Sequence, residues 1–448
     1  MSSSSVRARA AQIVALVATQ GQSLDALLAE ETSGTPQERG LLRALCYDSL
    51  RWYLRLDALL TRLLTRPRQV LAPDLRALAI VGLCQLLYTK IPAHAAVAET
   101  VNAARAIKHA RGAPLLNAVL RRCQREGQRI LAELDRDICI RTAHPRWLVE
   151  MLGADWGETA EAILQANNQH PPFWLRVNRL RCNGTDYRRQ LEAQGHRIAA
   201  ALFDDHALLL ERAVDVGELP GFAQGLVSVQ DAAAQLASHL LAPAPGDRVL
   251  DACAAPGGKT CHLLELQPKL RELVAIDVSK DRLAKVAQNL ERLFAPSPRV
   301  AVAQVRMAQG DAAEPEQWWN GRPFDRILLD VPCSATGVVR RHPDIKLLRR
   351  PADIAALIAR QQRILHRAWA LLAPGGRLLY ASCSVLRAEN ARLLDAFLKE
   401  TPLARPASEP APRDYGVDAR ADLPGYALVP GASGMDGFYY ACLEKMKG

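Results

Sequence analysis

The chain has 448 residues, 49% apolar and 23% charged, with a net charge of +10. That length allows two or three domains, each with its own core, in an ordinary soluble composition. No run reaches the roughly 18 apolar residues of a membrane span, Met1-Ser-Ser-Ser-Ser-Val6-Arg-Ala-Arg9 lacks a secretory core, and ten cysteines without C-x-x-C pairs fit free thiols in a reducing cytoplasm rather than disulfides or zinc.

Residues 1 to about 140 read as all helix. Val6 to Glu30 is amphipathic, and Leu41 to Leu64 repeats apolar residues at helical spacing with arginines between them. Leu75 to Tyr88 is nearly continuously apolar and predicts a core helix; His94 to His109 and Pro114 to Arg125 follow, the last closing on Arg121, Arg122 and Arg125. Five or six helices with short connections make a bundle. Its first 140 residues hold 19 Lys+Arg against 12 Asp+Glu, so +7 of the net charge sits here. Such a surface attracts phosphate backbones, although a merely solvated basic face has the same composition.

A small α+β module comes next. His144 to Leu152 and Trp156 to Asn168 read as helices, Pro171 to Asn178 as a strand opened by prolines, Tyr187 to Ala193 as a short helix and Ala207 to Glu211 as an apolar strand. From about residue 227 the pattern changes. Apolar runs at Arg248–Asp251, Leu273–Asp277, Ala301–Val305, Arg326–Asp330 and Arg377–Ala381 alternate with helical stretches, which predicts a parallel sheet covered by helices. Thr401 to Pro412 reads as a proline-rich surface loop, and Gly437 to Leu443 as a last strand. The expected division is 1–142 helical, 143–226 α+β linker and 227–448 α/β Rossmann-like.

Ligands of such sheets bind at strand C-termini, where Asp251, Asp277, Asp330 and Cys383 fall. Cys253-Ala254-Ala255-Pro256-Gly257-Gly258-Lys259 links a strand to a helix start through small residues that admit close approach to a ligand. It lacks G-x-G-x-x-G, and Cys253 stands where a P-loop needs its leading glycine. Asp277 can take both ribose hydroxyls of an adenosine, and Asp311 follows the third strand towards the adenine edge. Adenosine recognition without a phosphate loop points to S-adenosylmethionine. Each carboxylate taken alone could simply cap the next helix.

Two thiols complete the pattern: Cys333 in Asp330-Val-Pro-Cys-Ser334, and Cys383 in Tyr380-Ala-Ser-Cys-Ser384. These stretches, with Ala254–Lys259, Glu389-Asn390 and Asp436-Gly-Phe-Tyr-Tyr440, resemble in order the motifs of the RNA (cytosine-5) methyltransferases of the Sun and nucleolar-protein type. The family more usually has Ser-Thr-Cys-Ser where this chain has Ala381-Ser-Cys-Ser384. Glu38-Arg-Gly-Leu-Leu42 and Leu115 to Arg122 resemble the NusB-type RNA-binding module, which some bacterial 16S rRNA enzymes of the family carry.

The resemblance implies that Cys383 is the nucleophile adding to C6 of a cytosine. Asp330 would stabilise the ring, Cys333 assist release, and Lys259 support Asp330 or the cofactor. Chemistry alone leaves the two cysteines interchangeable, because the DNA cytosine enzymes use a Pro-Cys nucleophile. Arg340 and Arg341, just beyond the Pro-Cys turn, are candidate phosphate contacts. Cys46, Cys84, Cys123, Cys139, Cys182, Cys261 and Cys442 are expected to be small buried hydrophobes. The expected partner is 16S rRNA, free or partly assembled, acted on by a cytoplasmic monomer without a membrane. A tRNA methyltransferase and a non-catalytic RNA-binding assembly factor are the alternatives.

Overall fold

The structure, a computed structural model, describes residues 3–64, 70–294, 302–407, 412–422 and 424–447. The chain forms two compact units: Met1–His170 with Val339–Pro351, and Pro171–Val338 with Ala352–Gly448.

The first unit is helical. Helix Pro73–Tyr88 is buried nearly all round, with Leu78, Ile80, Val81 and Leu83 at 0% exposure, as its apolar run demands. Around it pack Ser3–Gln20, Pro36–Arg51, Tyr53–Leu63, Ala93–Ala106 and Ala113–Leu134. The expected Val6–Glu30 helix is two, Ser3–Gln20 and Leu24–Glu30, separated at Gly21–Ser23. Leu41–Leu64 likewise divides at Trp52. Thr35 and Glu38 form a capping box that starts helix Pro36–Arg51, each side chain accepting the other's backbone N–H. Arg121, Arg122 and Arg125 lie in the middle of helix Ala113–Leu134 rather than at its end, so the expected dipole interaction at a C-terminus does not apply to them.

Residues 339–351 belong to this helical unit despite their place in the sequence. Asp344 Oδ2 accepts the Leu24 N–H at 3.0 Å, and His342 Nδ1 lies 3.0 Å from Asp25 Oδ2. The Lys346 ammonium donates to the Arg51 carbonyl at 2.8 Å and to Asn168 Oδ1 at 2.5 Å. Leu347 and Leu348 pack on the helical core. Arg340 is only 2% exposed, and its carbonyl accepts from Arg51 Nη1 at 2.9 Å. A guanidinium so buried is not a phosphate contact, which corrects the expectation for that residue.

The second unit holds two sheets. The smaller has the order β2-β3-β1-β4, formed by β1 (Phe173–Val177), β2 (Ile198–Leu202), β3 (Ala207–Leu210) and β4 (Val227–Val229). The larger comprises β5 (Arg248–Asp251), β6 (Glu272–Asp277), β7 (Val305–Gln309), β8 (Phe324–Asp330), β9 (Leu372–Ser382), β10 (Ala404–Pro406), β11 (Arg420–Asp422), β12 (Gly425–Leu428) and β13 (Phe438–Lys445). Its order is β11-β12-β13-β9-β8-β5-β6-β7, with β10 on β13. Strands β5 to β9 pair in parallel, and β13 runs antiparallel to β9.

The third parallel strand sits further along than expected. Its register opposite β6 starts at Leu273↔Val305 and ends at Asp277↔Gln309; Ala301 of the expected strand lies outside the described residues. The Thr401–Pro412 loop contains β10, and its residues 408–411 also lie outside them.

One buried ion pair joins the small sheet to helix Gly258–Leu266 within this unit. Arg176 of β1 donates from Nε and Nη2 to both oxygens of Glu265, at 3.0 and 2.8 Å, with both side chains 1% exposed. Its Nη1 also donates to the Gly258 carbonyl at 2.6 Å, bracing the start of that helix. Removing one member of such a pair strands the other in the interior. Glu265→Ala is therefore expected to lower stability by about 3–5 kcal/mol in urea unfolding, whereas Arg188→Ala, in an exposed pair with Glu192, should change it by less than about 1 kcal/mol.

Candidate active site

The chemistry gathers where the parallel strands end. β5 closes on Asp251, β6 on Asp277, β8 on Asp330, and the turn after β9 carries Cys383. One open cavity of about 240 Å³ is lined by Ala252, Cys253, Ala255, Asp277, Asp311, Asp330, Cys333 and Cys383, among others. Of the residues singled out in the sequence, Ala254, Pro256, Gly257, Gly258 and Lys259 do not line it.

Three of these have a local reason for their place. Ala254 N–H is tied to the Ile276 carbonyl at 2.9 Å, so its backbone faces β6. Gly257 has φ +99°, and a Cβ there would stand 3.0 Å from Val286 Cα, so the turn into helix Gly258–Leu266 needs glycine to let helix Lys280–Phe294 approach. Lys259 lies behind the cavity wall and reaches it through Asp330, donating to Oδ2 at 2.6 Å. Burial pushes the Lys259 ammonium down, but the charge of Asp330 and the hydrogen bond to it prevail and hold it above its ordinary value. Cys383 also bears on this ammonium electrostatically.

Burial raises Asp251 to about 7, against a hydrogen bond from Thr260 Oγ1 at 2.7 Å. Asp251 is a fully buried anchor for the loop and not a wall of the cavity. Asp277 is 4% exposed and accepts from the N–H groups of Ser279 and Ala255, at 3.0 and 3.3 Å.

The two thiols face each other, with Cys333 Sγ 3.4 Å from Cys383 Sγ. Cys333 is 8% exposed, and the hydrogen bond with Cys383, reinforced by burial, pushes its thiol well up. Ionisation of Cys333 is therefore disfavoured in this pair. The turn between Cys333 and Val338 is cinched by Gly337, whose N–H donates to the Cys383 carbonyl at 2.9 Å and whose carbonyl accepts from Gly437 N–H at 2.8 Å. A Cβ at Gly337 would lie 2.2 Å from the Gly437 oxygen, so only glycine fits.

Sequence reasoning missed Arg282, Arg360 and Ile364, which line the same cavity. Arg282 donates to the Ala255 carbonyl at 2.8 Å and sits 3.6 Å from Asp277; Arg360 lies 3.8 Å from Asp311. The remaining cysteines are as expected apart from Cys182, which is half-buried. Among the described residues, no helix is long and apolar enough to cross a membrane.

A parallel sheet, a glycine-rich turn after its first strand and acidic strand ends around one cavity define a Rossmann-like methyltransferase, here with two apposed thiols. The matches to known proteins agree with that class. The 16S rRNA methyltransferase RsmB/F family model matches residues 238–444, its ferredoxin-like domain 144–217 and the NusB family 4–125. The chain is 47% identical to the ribosomal RNA small subunit methyltransferase B of Pseudomonas syringae pv. tomato, over 98% of this chain and 97% of that one. It is 46% identical to the protein of that name from Vibrio cholerae, over 98% and 97%. The crystal structure of PH0851 shares the fold, with a TM-score of 0.77 at 24% identity over 99% of each chain. A methyltransferase homolog from Pyrococcus horikoshii matches with a TM-score of 0.58 and 26% identity, over 69% of this chain and 97% of that one.

The chain belongs to the 16S rRNA methyltransferase RsmB/F family. S-adenosylmethionine is its methyl donor. The cavity suits that group: small residues at 252, 253 and 255 leave its floor open, and the Asp277, Asp311 and Asp330 carboxylates offer acceptors to a cationic, hydroxyl-rich ligand.

Proposed function

We propose that the enzyme methylates C5 of a cytosine in 16S rRNA, by family resemblance cytosine 967, through a transient bond between Cys383 Sγ and ring carbon C6. The observation that carries this reading is the 3.4 Å approach of two thiols in the cavity that also holds Asp330. C5 of cytosine is a weak nucleophile, and a thiolate adding at C6 makes it an enamine carbon, splitting one hard step into easier ones.

In this mechanism Cys333 donates its S–H to Cys383, supporting the attacking thiolate together with the Lys259 ammonium. This supplies the thiolate stabilisation whose source the sequence does not identify. Cys383 adds to C6, and the displaced π pair is drawn towards ring N3, where Asp330 shares a proton. Lys259 fixes the Asp330 carboxyl group. Bound S-adenosylmethionine supplies the methyl group. Once Cys383 is a neutral thioether, the hydrogen bond that held up the Cys333 pKa is gone. Cys333 then becomes a stronger acid and gives its S–H proton to solvent. Its thiolate, directly or through a water, takes the C5 proton, the C5–C6 double bond reforms, the proton shared at N3 returns to Asp330, and Cys383 leaves as thiolate.

For the donor, Asp277 is assigned to the ribose hydroxyls and Asp311 to the adenine edge, while the backbone from Cys253 to Lys259 forms the loop beside the methionine end. We assign residues 1–142 to RNA binding, 143–226 to a linker and 227–448, apart from the 339–351 segment of the helical unit, to catalysis. Exposed Arg121, Arg125 and Arg129 recur every fourth residue on helix Ala113–Leu134 and offer a phosphate-binding stripe. The target base leaves any stack to reach the cavity, at a cost of a few kcal/mol that a loop cytosine largely avoids.

Bisulfite mapping of 16S rRNA from cells with and without the protein tests the reading. One protected cytosine should vanish with the gene. Unchanged 16S rRNA, with the protected cytosine lost from a tRNA instead, would favour the tRNA alternative.

A further inference from the structure

Behind the two thiols lies a buried polar cluster that the mechanism does not use. Ser334, Thr336, Gln361, Ser382, Ser384 and Glu389 are each 0% exposed, and Asn390 is 3% exposed. At its centre is the Glu389 carboxylate. Oε1 accepts the Ser334 N–H at 2.8 Å and Gln361 Nε2 at 3.0 Å. Oε2 accepts the hydroxyls of Ser334 at 2.5 Å and Ser384 at 2.6 Å. Four donors fill the lone-pair sites of a carboxylate, which is how a buried charge is tolerated.

These contacts hold the residues on both sides of each thiol. Next to Cys333, Ser334 is held by Glu389, and the Pro332 carbonyl accepts from Gln361 Nε2 at 3.0 Å. Next to Cys383, Ser384 is held by Glu389, while Asn390 Oδ1 accepts from Ser382 Oγ at 2.5 Å and Asn390 Nδ2 donates to the Ser384 carbonyl at 2.8 Å. The Glu389 carbonyl itself accepts from Tyr380 Oη at 2.7 Å, anchoring the cluster to β9. The two cysteine turns follow different strands, and Glu389 accepts hydrogen bonds from the serine after each of them.

We propose that Glu389 is a positioning residue of the reaction, a clamp that sets the separation between Cys333 and Cys383; its link to catalysis rests on the reaction proposed above. The clamp itself is read without RNA. Diamide, which takes the two electrons and two protons, should couple Cys333 to Cys383 rapidly in the wild-type protein, scored by free-thiol assay and peptide mapping.

In Glu389→Ala the coupling should slow by about tenfold or more, and kcat should fall comparably, since misplacement by about 1 Å costs up to roughly a hundredfold. The KM for S-adenosylmethionine should stay within about twofold, because the carboxylates assigned to the donor are elsewhere. Glu389→Gln, with one oxygen still able to accept and hydroxyls that can turn to accept from its amide, should recover most of both rates. Should Glu389→Ala fail to fold, Ser384→Ala removes one strut and should show the same split in smaller measure. Unchanged coupling and kcat in the folded variants would overturn the proposal. Coupling that is fast in the wild-type protein and slowed in Glu389→Ala, in an enzyme that methylates no RNA, would count against the reaction and leave the clamp supported.

Discussion

Cys383→Ala is expected to abolish methylation and, with it, every denaturation-resistant protein–RNA complex. Without the sulfur that bonds to C6, C5 remains unactivated. Deleting a covalent nucleophile removes rate on the order of 10⁴-fold or more. Binding of S-adenosylmethionine should persist, because Asp277, Asp311 and the 253–259 loop are untouched. Calorimetry with the donor and a single-turnover methylation assay separate the two properties. A variant that retains near-wild-type turnover would remove Cys383 from the chemistry.

Cys333→Ala is expected to do the opposite to the complex. The thiolate of Cys383 still adds and the methyl group still transfers, although addition should slow for want of the Cys333 S–H donor 3.4 Å away. The C5 proton then has no base beside it, so the adduct accumulates and multiple turnover falls by about 10²–10⁴-fold. Denaturing gels of enzyme mixed with rRNA fragment should show a retarded band in this variant and none in Cys383→Ala. The reverse pattern would exchange the roles of the two cysteines.

Much of the site was legible because strand ends are legible. Asp277, Asp330 and Cys383 close apolar runs that could only be buried strands, and parallel sheets present such ends together. The position of the third strand was not: Ala301-Val-Ala-Gln is as apolar as a strand, but pairing with β6 selected Val305–Gln309. β2 and β4 also went unread, because Ile-Ala-Ala-Ala-Leu has little strand preference and β4 is three residues long.

Arg282 and Arg360 join the cavity from helices, where charged residues ordinarily face water, so nothing in their spacing distinguished them. Residues 339–351 show another limit. They lie between two strands of the catalytic sheet, yet Asp344, His342 and Lys346 find their partners at Leu24, Asp25 and Arg51. Such contacts depend on tertiary structure that no local pattern encodes. Glu389 was readable as part of a family motif, but its four donors emerge only when the cysteine turns after β8 and β9 are brought side by side.

Trapping tests the central claim most directly. An rRNA fragment carrying 5-fluorocytosine at the target position cannot lose a proton from C5, so methyl transfer should leave the enzyme bonded to the base. Digestion and tandem mass spectrometry should then place the modified nucleotide on the sulfur of Cys383. Attachment at Cys333, or methylation of ordinary substrate with no trapped species on the fluorinated one, would contradict the account.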